Sequence, residues 1–206
     1  MHCPALRVYL LPLLLIPLIG ASVRASDWPM WRLDPARSAH TEQSLPESLH
    51  LQWVHRLPPL EPAFKNERLQ FDAGYEPVVK DGILFYGSSL NDSVTALDLQ
   101  TGKPLWQFTT DGPVPWKTTV YFGSDDGCLY AVSAQTGNLI WKFRAVPSKR
   151  LILGNRRLIS VWPVRGGPVI ENDTVYFAAG VWPFEGVFVY ALDTATGKVK
   201  WMNDRL

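Results

Sequence analysis

One eleven-residue pattern recurs three times and limits what this chain can fold into: A-L-D-L-Q-T-G-K-P-L-W at 96–106, A-V-S-A-Q-T-G-N-L-I-W at 131–141 and A-L-D-T-A-T-G-K-V-K-W at 191–201. Each copy opens with Ala (Ala96, Ala131, Ala191), carries Thr-Gly in the middle (Thr101-Gly102, Thr136-Gly137, Thr196-Gly197) and closes with Trp (Trp106, Trp141, Trp201). Self-similarity of this kind means that one supersecondary unit is built several times and that neighbouring units share a core.

Extended backwards, the copies still align without a gap: P-V-V-K-D-G-I-L-F-Y-G at 77–87, P-V-P-W-K-T-T-V-Y-F-G at 113–123 and P-V-I-E-N-D-T-V-Y-F-A at 168–178. Short β-branched and aromatic runs separated by Gly, Asp and Asn read as antiparallel hairpins. Each unit therefore reads as four short strands, and four-stranded units repeated radially make propeller blades. The fold class expected is all-β, a partial β-propeller of three blades at 75–108, 112–143 and 161–204. Within the repeat, Gly supplies the positive φ of a tight turn, and the preceding Asp98 and Asp193, with Ser133 in the middle copy, accept hydrogen bonds from turn amides. The closing Trp offers an apolar body to wedge between blades and an indole N–H for a carbonyl.

The pattern A-x-D-x-x-T-G-x-x-x-W resembles the tryptophan-docking motif of the pyrroloquinoline-quinone (PQQ) repeat propellers, over Tyr75 to Asp204 and with Ser133 as the one departure from the motif's Asp. The resemblance implies that Ala, Asp, Thr, Gly and Trp of each copy are blade-docking residues. It does not fix an activity, because that family includes quinoprotein dehydrogenases as well as a non-catalytic scaffold of outer-membrane protein assembly.

Residues 1–25 read as a cleaved secretory signal: Arg7, the apolar run Val8–Gly20 interrupted by Pro12 and Pro17, then V-R-A before Ser26. The run is shorter than the roughly 20 residues that span a bilayer. A secreted or periplasmic location follows, with no transmembrane segment in the mature chain. Cleavage removes Cys3 and leaves Cys128 alone, so no intramolecular disulfide holds the fold. With 20 basic and 19 acidic side chains the chain is near neutral, at a formal net charge of +1, which argues against nucleic-acid binding. Residues 26–74 are expected to supply a ring-closing β-strand, H-L-Q-W-V-H-R-L at 50–57, and a surface connection at 61–74. His50 and His55 fall on opposite faces of such a strand, which disfavours a shared metal.

The spacing breaks between Trp141 and Pro168, where an insert carries Arg144, Lys149, Arg150, Arg156, Arg157 and Arg165 and no acid. Breaks in a repeat are where function is grafted. Strand alternation brings this insert and the loop G-V-W-P-F-E-G at 180–186 to one face, so Trp162, Arg165, Trp182 and Glu185 form a candidate ligand rim for a protein or saccharide. The alternative is that W-P-V at 162–164 and W-P-F at 182–184 simply pack on each other as loop cores.

Catalytic residues are not evident. Resemblance to quinoprotein dehydrogenases would imply a vicinal cysteine pair and a C-x-x-C-H haem segment, and the sequence has neither. No zinc, phosphate-loop or nucleophile-elbow motif occurs. No cofactor is expected, PQQ and Ca²⁺ entering only if the chain is the front part of a quinone-dependent oxidoreductase. The leading function is a non-catalytic binding or assembly scaffold. Three blades fall short of the four to eight that typically close a ring, so the open blade edges are expected to invite self-association.

Overall fold

A computed structural model describes residues 26–59, 74–88, 93–109, 119–154 and 157–204. The signal-like residues 1–25 and nearly all of the connection at 61–74 lie outside them. So does the first strand expected for the second unit, at 113–118.

Strands β1 (Val78–Lys80), β2 (Ile83–Ser88), β3 (Ser93–Asp98) and β4 (Pro104–Thr109) pair antiparallel in chain order. Strands β5 (Thr119–Gly123), β6 (Cys128–Ser133) and β7 (Leu139–Arg144) form a second sheet. A two-stranded hairpin, β8 (Leu151–Gly154) and β9 (Arg157–Ser160), precedes the third sheet, β10 (Val169–Glu171), β11 (Thr174–Ala179), β12 (Phe188–Asp193) and β13 (Val199–Asn203). The described chain is all-β apart from a single 3-10 turn at Pro183–Glu185.

The repeat's residue types follow from the register. Ala96 sits opposite Phe85 on one side and Trp106 on the other, and Ala131 likewise between Tyr121 and Trp141. The aromatic rings lean across the alanine, with centroids 5.8 Å apart for Phe85–Trp106 and 5.6 Å for Tyr121–Trp141. A larger side chain at the alanine would push both rings apart. Just before each Trp the ladder slips by one residue, at Leu105, Ile140 and Lys200, which is a β-bulge in the same place in every unit.

The other face of each sheet is filled by the preceding one. Phe108 of β4 packs edge-on against Phe122 and Tyr130 of the second sheet, and Phe143 of β7 does the same against Phe177 and Tyr190 of the third. W-x-F thus puts two anchors on the next sheet in the first two units. The third reads Trp201-Met202-Asn203.

Two N-terminal stretches lie on the first sheet. Trp28 exchanges both backbone hydrogen bonds with Val79, at 2.9 and 2.8 Å, adding a single bridge to the free edge of β1. Residues 50–57, expected as a strand, instead run extended with no ladder among the described residues. Side chains hold them: Gln52 donates to the Gln100 carbonyl at 2.8 Å, and Trp53 to the Leu99 carbonyl at 2.9 Å.

Candidate functional site

Three seats share one construction, two of them joining consecutive sheets and one holding the N-terminal stretch to the first sheet. At each, the Gly amide donates to the backbone carbonyl of Asp98, Ser133 or Asp193 at 2.8 Å, closing a turn with the Gly at φ +68, +73 and +68°. The Asp98 carboxylate accepts from the Thr101 amide and hydroxyl, both at 2.7 Å, and Asp193 accepts from Thr196 at 2.9 and 2.7 Å. These bonds, the Thr hydroxyl first, hold both carboxyls below the ordinary Asp value. Ser133 offers one bond, from the Thr136 amide at 3.3 Å.

A tryptophan from the preceding element caps each turn. Trp106 donates its indole N–H to the Ala134 carbonyl at 2.7 Å, and Trp141 to the Thr194 carbonyl at 2.9 Å. The turn glycine lies flat beneath the ring: a Cβ on Gly137 would stand 2.6 Å from Trp106, and on Gly197 2.8 Å from Trp141. Glycine is therefore needed twice, for φ and for the ring's approach.

The seat on the first sheet is filled as well, by Trp53. Its N–H meets Leu99, and a Cβ on Gly102 would lie 2.5 Å from its ring. This tryptophan carries no repeat signature, because H-L-Q-W-V-H-R-L lacks the Ala and Thr-Gly that mark the other copies. Its only sequence signal is an indole in a short apolar run ahead of the first unit. Trp201, by contrast, meets no turn among the described residues and is 52% exposed.

The insert and the loop after β11 come together at the opposite end of the third sheet from the Thr196-Gly197 turn. Gly180 donates to the Pro163 carbonyl at 3.0 Å. Trp162 is 7% exposed in the core cluster with Val175 and Leu192, its indole N–H donating to the Glu185 carbonyl at 2.6 Å and its ring edge-on to Phe188. The Glu185 carboxylate pairs with Arg150 at 2.7 Å, and Trp182 leans on Phe184. Arg165 turns the other way, into a largely buried ion pair with Asp125 at 2.9 Å. The four rim residues thus stand at one corner, yet much of their hydrogen-bonding and charge is met within the protein.

A cleft of about 760 Å³ opens beside that ion pair, lined by Trp31, Val78, Tyr86, Ser88, Phe122 and Ile170 among others. The Ser88 hydroxyl is buried there without a hydrogen-bond partner among the described residues. The cleft follows the edge of β5, which has no partner strand among the described residues where the first and third sheets carry β1 and β10, so its volume alone does not mark a ligand site. Trp31 is set over its mouth by a turn with Arg32, Leu33, Arg37 and Ala39 at positive φ, and Arg37 donates to the Trp31 and Gly167 carbonyls at 2.7 and 2.9 Å.

Among the described residues no three His, Cys, Asp or Glu side chains gather as a metal ion would need. His50 lies beside Ser48, whereas His55 meets the Tyr86 hydroxyl at 3.3 Å. Cys128 is buried in β6, and burial, with the Asp126 carboxylate adding to it, pushes its thiol up to about 11. That places it among inert core cysteines rather than reactive ones. No described helix is long and apolar enough to cross a membrane.

Antiparallel sheets of this strand order, joined in sequence through tryptophan seats, define a β-propeller of the PQQ-repeat class. Residues 20–205 match the family model described as outer membrane protein assembly factor BamB, and the chain belongs to that PQQ-repeat family. It is 32% identical over 142 residues to the dehydrogenase subunit of the quinone alcohol dehydrogenase of Gluconobacter oxydans, covering 61% of this chain and 18% of that protein. It is 25% identical over 205 residues to the quinohemoprotein alcohol dehydrogenase of Comamonas testosteroni, covering 87% of this chain and 26% of the relative. The crystal structure of the Comamonas enzyme superposes with a TM-score of 0.61 over 86% of this chain and 27% of that one, at 24% identity, which bears on fold alone. The chain spans about a quarter or less of the length of these relatives.

Proposed function

We propose that this chain is a secreted or periplasmic propeller segment that acts as a binding or assembly scaffold. The observation that carries the reading is the use to which polar groups are put. Asp98, Asp193, Thr101 and Thr196 close turns, while Arg165, Glu185 and Trp162 bond within the fold, so no described set of acid, base and nucleophile converges on open space. The signal-like residues 1–25 support export. The blade-docking role of the Thr-Gly turns, and of Trp106 and Trp141, is supported by the matching seats, whereas Trp201 is exposed, and a protein or saccharide ligand would approach by the corner of Trp162 and Trp182.

The second reading is the front part of a quinone-dependent oxidoreductase, favoured by the 32% identity to a quinone alcohol dehydrogenase subunit. The described residues do not suit PQQ or Ca²⁺: no carboxylates cluster, and the described cysteine is a buried thiol held protonated. No step is therefore derived through either group. Titration of the purified chain with PQQ and Ca²⁺ separates the readings. The scaffold reading expects no stoichiometric change in quinone absorbance, and a saturable one-to-one change would overturn it.

Self-association takes a narrower form than open edges alone suggest. Trp201 of one copy cannot cap Gly102 of another while Trp53 holds that seat, so its partner is a further Thr-Gly turn with a free carbonyl three residues ahead of the glycine.

A further inference from the structure

The β8–β9 hairpin, between the second and third sheets, presents two unlike faces. Ile152 and Ile159 pair across the strands and turn inward, Ile159 being buried and Ile152 packing on the core cluster that holds Val161 and Trp162. Leu153 and Leu158 pair on the outer face, 76% and 66% exposed, with Leu151 half-exposed beside them. The loop tied to the hairpin's base by the Arg150–Glu185 ion pair adds Phe184, 82% exposed. Four large apolar side chains held out on ordered backbone are unusual on a protein surface and mark an interaction site.

The insert itself supplies only positive charge, and Glu185 of the neighbouring loop is paired with Arg150. The insert from Lys142 to Gly167 has six Arg and Lys beyond Lys142 itself and no Asp or Glu, and Lys149 and Arg150 stand immediately before β8. Arg165 is spent on Asp125, whereas Arg144 and Lys149 are exposed. Leucine tips beside an exposed lysine are poorly suited to a protein partner, since lysine is depleted from protein interfaces and leucine is under-represented among their hot spots. They suit a bilayer, where apolar side chains enter the headgroup–acyl boundary and each nearby cation gains from anionic lipid.

We propose that the β8–β9 hairpin is a membrane-contacting element that seats Leu153 and Leu158 in the surface of an anionic bilayer, with the exposed Lys149 on the lipid headgroups. This is independent of whether the propeller is a scaffold or part of an oxidoreductase. The test is flotation of the full chain with phosphatidylcholine vesicles, pure or containing about one-third phosphatidylglycerol. Binding is expected to the anionic vesicles, to weaken as salt is raised, to fall at least about tenfold in L153S/L158S and about fivefold in K149Q. Both leucines are exposed, so the double variant should keep the wild-type circular dichroism; should it not, L158S and K149Q carry the test singly. Equal binding to the two vesicle types, or wild-type binding by L153S/L158S, would overturn the proposal. So would retention on polyglutamate without binding to anionic vesicles, because charge alone would then be read.

Discussion

The second and third units use the same residues to opposite effect. In the second, Tyr121, Ala131 and Trp141 lie side by side across three strands, and the tryptophan is capped onto Thr194 and Gly197 of the next sheet. In the third, Tyr176, Ala191 and Trp201 repeat the row, but Tyr176 is 41% exposed and the tryptophan more so. The difference teaches that the motif is half an interface. A Thr-Gly turn and a tryptophan stabilise nothing between blades until each meets the other half from a neighbour.

The largest expected effect lies in that contrast. Trp141→Ala removes a half-buried indole, its hydrogen bond and its contact with Tyr121, and should cost about 3 kcal/mol in denaturant unfolding. Trp201→Ala should cost no more than about 0.5 kcal/mol. Equal losses would break the comparison.

Glycine sharpens it. Gly82 and Gly197 both have positive φ, at +77 and +68°, but a Cβ on Gly82 meets nothing within 4 Å whereas on Gly197 it meets Trp141. Gly82→Ala should cost about 1 kcal/mol from backbone strain alone, and Gly197→Ala about 2 to 3 kcal/mol because the indole must also move.

Trp53→Ala tests the filled seat. It should cost about 1 to 2 kcal/mol, and it opens Gly102 to Trp201 of a second copy. Light scattering should then rise with concentration more steeply for W53A than for the wild type; unchanged scattering would mean that the two surfaces do not fit.

The smallest effect is on pH. Asp98 and Asp193 have folded-state values lowered below 3.8, chiefly by the Thr101 and Thr196 hydroxyls. A depressed carboxyl contributes stability that is present above its unfolded value and lost as pH falls through its folded one. The thermal midpoint should therefore drop below about pH 4, and D98N/D193N should flatten that acid limb.

The repeat was legible because turns and their glycines are local. The backbone of Gly102, Gly137 and Gly197 demands φ above zero wherever the chain is placed, and the Thr hydroxyls find Asp three residues back with no help from the rest of the fold. Trp53 was not legible, since its seat is made of residues 46 positions away and it carries no local mark of its own. The hairpin at 151–160 could have been read from L-I-L-G-N-R-R-L-I-S, two short apolar runs around Gly-Asn, but the density of arginine drew the reading towards a ligand loop. The rim was half legible: strand direction brings the insert to the 180–186 loop, but only packing decides that Trp162 turns inward and that Arg165 pairs with Asp125.

The bulge before each tryptophan gives the repeat a fixed ruler. Leu105, Ile140 and Lys200 each take up one residue without a cross-strand partner, so the indole that follows lands on the alanine's side of the sheet rather than the reverse. Genetic exchange between units must respect that ruler. A crossover in the connections ahead of Val78 or Val169 leaves every measured segment whole, whereas one residue gained or lost between Gly137 and Trp141 would turn the ring to the wrong side. Within the stretch from alanine to tryptophan, lineages of such propellers should therefore vary by substitution and hardly ever by length.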